Sequence, residues 1–204
     1  MVGTVIAGSM MGCGKSKDKG DGKGSDVKIA IICSSAGQND NGYNQSAVNG
    51  AKKAAEEFGV EYKVVEPTTG VPQALESLAD DGYNVIFNLE YDFEALIQGT
   101  GGAQPIAEMY PDTTFVCVND NPNQDESGKP IHDNVISVLF DVHQASFVAG
   151  ALTTLVNENA ETLFGIEGYH FTPADKGGRS VGFIGGTNSN GITVFSYGYV
   201  EGIN

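Results

Sequence analysis

The residues with the most chemical reach in this chain are amides and carboxylates gathered in four short stretches. These are Asn39, Asp40 and Asn41; Glu66 with Thr68; Asn88, Glu90 and Asp92; and Asn119, Asp120 and Asn121. Three aromatic residues, Tyr43, Tyr91 and Phe93, stand beside them. None of the four stretches carries Lys, Arg or His. A carboxylate accepts from vicinal hydroxyls, while an Asn amide both donates and accepts. Such a set suits a neutral, polyhydroxylated small molecule. A hydrogen bond to a charged group contributes about 1.5–3 kcal/mol net, and micromolar affinity needs about 8 kcal/mol. Two carboxylates thus supply a good part of it, with stacking or apolar contact supplying the rest. Taken singly, each Asn or Asp reads first as a turn former.

Other chemistries fit less well. Gly14-Lys15-Ser16 ends like a phosphate-binding loop, but Ser9 stands where the first Gly is needed and no helix follows. Asn121, Asn123 and Asp125 begin like a calcium loop, which then fails at Glu126 and His132. His132, His143 and His170 are scattered without metal-ligand spacing, so no metal is expected. The loop after the first apolar run lacks Gly-x-Gly-x-x-Gly, and no Gly-x-Ser-x-Gly elbow occurs, so neither a cofactor nor a catalytic serine is expected. Cys33 and Cys117 lie in apolar runs and read as small buried hydrophobes. The net charge of −15 makes nucleic acid a poor partner.

The elements that must position these residues follow from periodicity. Apolar runs at Val27–Cys33, Val60–Val65, Val85–Leu89, Thr114–Val118 and Val135–Phe140 predict strands. Between them, Gln45–Phe58 predicts a helix burying Ala47, Val48, Ala51, Ala54, Ala55 and Phe58, closed by Gly59. Val71–Asp81 predicts a second helix, with Leu75, Leu78 and Ala79 inward. Phe93–Met109 predicts helix broken near Gly99, Gly101 and Gly102. His143–Asn157 predicts a long helix with Phe147, Leu152 and Leu155 in the core. Repeated βα units imply a parallel sheet between helical layers, with ligands beyond the carboxyl ends of the strands. The four polar stretches all fall at that edge.

The ends of the chain read differently. Met1–Gly12 is uncharged and runs into Ser9-Met10-Met11-Gly12-Cys13, which resembles a bacterial lipobox with Cys13 as the lipidated residue. Residues 1–13 are thus expected to be a lipoprotein signal whose true start lies upstream. Residues 14–26, rich in Gly, Lys and Asp, read as a solvated tether. Residues 27–157 make the α/β lobe, and 158–179 an irregular connection. Residues 180–204 begin a second lobe, with a strand at Val181–Ile184 and a helix carrying Phe195, Tyr199 and Ile203. That second lobe is expected to be largely missing.

Several motifs together resemble the basic membrane protein family, the purine-nucleoside-receptor-like substrate-binding lipoproteins. Asn39-Asp40-Asn41-Gly42-Tyr43-Asn44-Gln45-Ser46-Ala47 is similar to the family's signature over the first loop and helix. Tyr110-Pro111-Asp112, Asn134-Val135-Ile136-Ser137 and Val181-Gly182-Phe183-Ile184-Gly185-Gly186 match further on. The resemblance implies a type I periplasmic-binding-protein fold, with its second lobe truncated here. It implies a ligand such as a purine nucleoside, held in an interlobe cleft without catalysis, and delivery to a membrane permease and ATPase from a lipid anchor on the extracytoplasmic face. It implies that Asn39, Asp40 and Asp120 hold the ribose. The family's base-stacking aromatic falls at Val48 here, so Tyr91 or Phe93 is expected to supply a ring instead. A sensory receptor of the same fold, or a nucleoside or sugar hydrolase, are the rival readings.

Overall fold

A computed structural model describes residues 26–164, 181–186 and 189–204. The lipobox with Cys13, nearly all of the tether and most of the expected connection lie outside the described residues.

Five short strands form one sheet: β1 (Lys28–Ile32), β2 (Glu61–Val65), β3 (Val85–Asn88), β4 (Thr114–Val118) and β5 (Val135–Val138). All pair in parallel, in the order β2-β1-β3-β4-β5. Parallel neighbours cannot be joined by a tight turn; helices carry the first three crossovers, and residues 119–134 join β4 to β5 without one. The first two are α1 (Tyr43–Phe58) and α2 (Val71–Asp80). The third crossover holds two single turns, α3 (Glu94–Ile97) and α4 (Ile106–Met109), split by the expected glycines. α1 ends where Gly59 adopts a left-handed φ of 69° and returns its N–H to the Ala55 carbonyl.

Side chains alternate along each strand, so the sheet has two cores. On one face Ala30, Ile32, Ile86 and Phe115 pack with Leu75 and Leu78 of α2 and with α3 and α4. On the other, Ile31, Leu89 and Val116 meet Val48 and Ala51 of α1. Each fully buried Leu, Ile or Phe contributes about 1.5–3 kcal/mol. The second face is thinly covered. Beside α1 runs an apolar groove of about 270 Å³, lined by Phe87, Leu89, Val118, Val138 and Phe140 among others.

β5 leads into α5 (Val142–Glu158), α6 (Ala160–Phe164) and, later, α7 (Asn190–Ile203). α5 and α7 run side by side in the same direction. Ser146 Oγ donates to the Phe195 carbonyl (2.5 Å) and Thr154 Oγ1 to that of Ile203 (3.3 Å), a constant offset of 49 residues. Their backbones touch through glycine: a Cβ at Gly150, Gly198 or Gly202 would overlap the carbonyls of Tyr199, His143 and Phe147 respectively.

Four expectations need correcting. Phe58 is not inward but 66% exposed, because α1 outruns the sheet it covers. Phe147, Leu152 and Leu155 are not core residues: they are 49%, 57% and 56% exposed. The glycine seam, not the apolar stripe, faces α7. Val181–Ile184 forms no strand. A strand needs a neighbour to satisfy its backbone groups, and among the described residues none lies beside it. Phe183 leans on the ring of Tyr199 and Ile184 is 97% exposed. The expected irregular connection begins instead with helix, as the end of α5 and α6.

Candidate ligand site

The strand order reverses between β1 and β3, the point where an open parallel sheet is expected to hold a ligand crevice at its carboxyl edge. The polar stretches meet around it. In the β1–α1 loop, Asp40 serves first as a helix cap. Gly42 precedes α1 and has no side chain to offer, and Asp40 takes over. Its Oδ1 accepts from the N–H groups of Gly42 (2.9 Å) and Gln45 (3.0 Å), and its Oδ2 from Asn44 (2.9 Å). These bonds from Asn44 and Gln45 hold its carboxyl below the usual aspartate range. A carboxylate offers about four lone-pair sites, so Asp40 has one left, on Oδ2. Asn44, fully buried, ties the loop from inside. Its Nδ2 donates to Ser34 Oγ (2.9 Å) and the Gly37 carbonyl (3.0 Å), and its Oδ1 accepts from Ser34 N–H (2.9 Å).

Two carboxylates from other loops hold the same segment. Glu90 Oε1, after β3, accepts from Ser35 N–H at 2.6 Å, across the crevice. Glu66 Oε1, after β2, accepts from Gln38 N–H at 2.8 Å. Buried Asn88 shapes the β3 loop, with Oδ1 accepting from Glu90 N–H (3.0 Å) and Nδ2 donating to the Asp92 carbonyl (3.4 Å).

The aromatic residues are knitted to β4. Asn119, in the left-handed region at φ 62°, donates from Nδ2 to the Tyr91 hydroxyl (3.0 Å). Tyr91 adjoins Tyr43, which donates to the Val118 carbonyl (3.3 Å). Burial, then Tyr91 and Glu90, push the Tyr43 phenol well above its usual range. The first turn of α7 closes over this end. A Cβ at Gly191 would lie 2.8 Å from the Asn119 carbonyl oxygen and 3.0 Å from the Tyr91 ring.

The expected site residues distribute as follows. Asn39 is exposed and Asp40 half-buried on the β1 loop. Asp120 is half-buried after β4, with Oδ1 accepting from Asn121 N–H (2.7 Å). One strand separates β1 from β4, so their ends lie roughly 10 Å apart at the usual strand spacing. Tyr43 and Tyr91 are half-buried between them. Phe93 is drawn into the core, edge-on to Tyr91 at 6.4 Å between ring centres. Val48 is buried under α1. Cys33 and Cys117 are buried, free, and on opposite faces of the sheet. Burial, then the charges of Glu66 and Asp40, push the Cys33 thiol up; burial, then Asp120, pushes Cys117 up to about 12. Both are therefore protonated thiols at neutral pH, unsuited to nucleophilic attack. Among the described residues no group of His, Cys, Asp and Glu could hold a metal. Sequence reasoning placed Glu66, Glu90 and Asn119 in the polar stretches as ligand-facing groups and Asn44 only in a motif; it missed that each is spent on holding another part of the protein. For Asn119 the left-handed preference of Asn was a usable signal.

Comparison with known proteins follows the same lines. The family described as "ABC transporter substrate-binding protein PnrA-like" matches residues 27–204. Basic membrane protein A2 of Borrelia garinii subsp. bavariensis is 26% identical over 176 residues, covering 86% of this chain and 43% of that protein. An uncharacterized lipoprotein of Pyrococcus furiosus is 26% identical over 207 residues, covering 99% and 44%. A solved ABC transporter solute-binding protein from Aeropyrum pernix K1 superposes with a TM-score of 0.64 at 20% identity, over 87% of this chain and 42% of that one. The chain spans less than half the length of these relatives.

Proposed function

The chain belongs to the PnrA-like ABC transporter substrate-binding protein family, and on that premise we propose that it acts as an extracytoplasmic solute receptor, held to the membrane by a lipid on Cys13. Its ligand is a nucleoside or a similar polyhydroxylated molecule, passed unchanged to a permease and ATPase. Residues 27–157 form the first lobe and 180–204 open the second. The observation that carries this reading is the set of acids and amides that four loops bring to the carboxyl edge beside the strand-order reversal, with no Lys or Arg in those four stretches.

The geometry favours a particular division of labour. Asp40 keeps one acceptor site and takes one hydroxyl. Asp120 keeps three sites and takes a vicinal pair. Exposed Asn39 orients the sugar. The hydroxyls of Tyr43 and Tyr91 are committed internally, so Tyr91 offers its ring face to a base. The hydrolase reading needs a carboxylate acid–base pair free to act, whereas Asp40, Glu66 and Glu90 each accept from backbone N–H groups. Among the described residues no helix is long and apolar enough to cross a membrane; the attachment proposed is the lipid on Cys13.

Thermal-shift and calorimetric titration of a full-length, two-lobe version with adenosine, guanosine, inosine and ribose tests this; the 204-residue chain, with one cleft wall, should bind weakly or not at all. A rise in melting temperature with nucleosides, abolished by Asp120→Ala, supports it. No response to any nucleoside removes the nucleoside assignment.

A further inference from the structure

We infer that Glu66 and Glu90 are positioning residues, which clamp the backbone of the 34–40 loop so that Asn39 and Asp40 face the crevice; this rests on the receptor reading above. Both carboxylates stand at the rim where a ligand contact would be expected. Each instead spends an oxygen on a backbone N–H of the neighbouring loop: Glu90 on Ser35 at 2.6 Å, Glu66 on Gln38 at 2.8 Å. These lengths are those of charge-assisted bonds, roughly twice as strong as neutral ones. Among the described residues neither carboxylate pairs with Lys or Arg; the ion pairs there join Lys28 to Glu61 and Lys63 to Asp81, away from the rim.

The arrangement has the marks of a built clamp. The bonds span 55 and 28 residues of sequence, so three separate strand loops are tied into one unit. Gly37, between the two anchored amides, sits at φ 76°, and a Cβ there would come within 3.3 Å of Glu66 Oε1. Glycine thus both permits the turn and leaves room for the carboxylate. Asn44 fixes the loop's inner side through Ser34 and Gly37, and Asp40 fixes its exit into α1. A loop held at both edges and underneath enters binding already ordered, and the ordering cost is not charged to the ligand.

Amide hydrogen exchange on the full 204-residue chain without ligand, paired with adenosine titration, tests the clamp. Glu90→Ala is expected to speed exchange at Ser35, and Glu66→Ala at Gln38, each about tenfold. Both should weaken adenosine binding about three- to tenfold while the melting temperature barely moves. Glu90→Gln keeps an acceptor and should restore most of the Ser35 protection and of the affinity. Unchanged exchange at Ser35 and Gln38 in the alanine variants overturns the proposal. So does a Glu90→Gln protein that protects Ser35 yet binds adenosine as poorly as Glu90→Ala, because Glu90 would then be touching ligand directly. If the unaltered chain binds no adenosine, one cleft wall alone does not hold the ligand; the receptor reading is then judged on the two-lobe protein, and the exchange rates still decide the clamp.

Discussion

Asp40 carries two loads, and they are separable. Its carboxylate caps α1 through three backbone amides and keeps acceptor capacity on Oδ2. The capping bonds depress its folded pKa below the usual aspartate value of about 3.9. A depressed carboxyl contributes stability that is fully present above the unfolded value and is lost as pH falls through the lower, folded value. Asp40→Ala should therefore melt below the unaltered chain at neutral pH. The gap should close as pH drops below about 3.9, which melting curves across that range would show. Asp40→Asn separates the loads. Its amide oxygen can still accept at the helix start, while the charge-assisted bond to a ligand hydroxyl is gone. The variant keeps the oxygen that accepts from Gly42 and Gln45 but loses the bond from Asn44, so its melting temperature should fall less than that of Asp40→Ala while nucleoside affinity falls as far.

At the scale of elements, the α5–α7 pair depends on missing side chains. Ser146, Gly150, Gly198 and Gly202 let the two backbones touch. Gly198→Ala pushes a methyl against the His143 carbonyl and should cost about 1–3 kcal/mol, as overpacking does. Gly50→Ala in α1, where nothing stands within 4 Å of the new Cβ, should stabilise by about 0.5–1 kcal/mol. Urea denaturation of the two variants gives opposite signs if the seam is as tight as described.

The same pair marks where sequence patterns succeed and fail. Strand runs such as Lys28–Ile32, and helices such as α1 and α2, were legible because their periodicity is local. α5 was legible as a helix but not in its burial. Phe147, Leu152 and Leu155 look like a core stripe, whereas contact distance with α7 is set by small residues that carry no hydrophobic signal. Val181–Ile184 looks like a strand, but composition cannot supply a neighbour. In the candidate site, the loops bearing Asp40 and Asp120 were legible by type. The commitments of Asp40, Glu66 and Glu90 were not, since hydrogen-bond partners up to 55 residues away leave no trace in spacing.

For the molecule as a whole, charge sets which ligands can approach. The net charge is −15, and the crevice edge carries Asp40, Glu66, Glu90, Asp92 and Asp120. A like-charged ligand meets that field before any contact forms, and salt screens it over about 10 Å at 0.1 M. Adenosine monophosphate should bind at least tenfold more weakly than adenosine at low salt, with the ratio shrinking at higher ionic strength. Calorimetry at two salt concentrations would show this.

The sheet order has a consequence for how the chain is made. β1 is synthesised ahead of every other strand, yet it lies between β2 and β3. Its second neighbour does not exist until Asn88 has left the ribosome. Until then Lys28–Ile32 has at most one edge to pair with, and its apolar side chains have no second layer to cover them. Parallel pairing of distant segments is slow, so this inner edge of β1 waits unpaired for a partner made some fifty residues later.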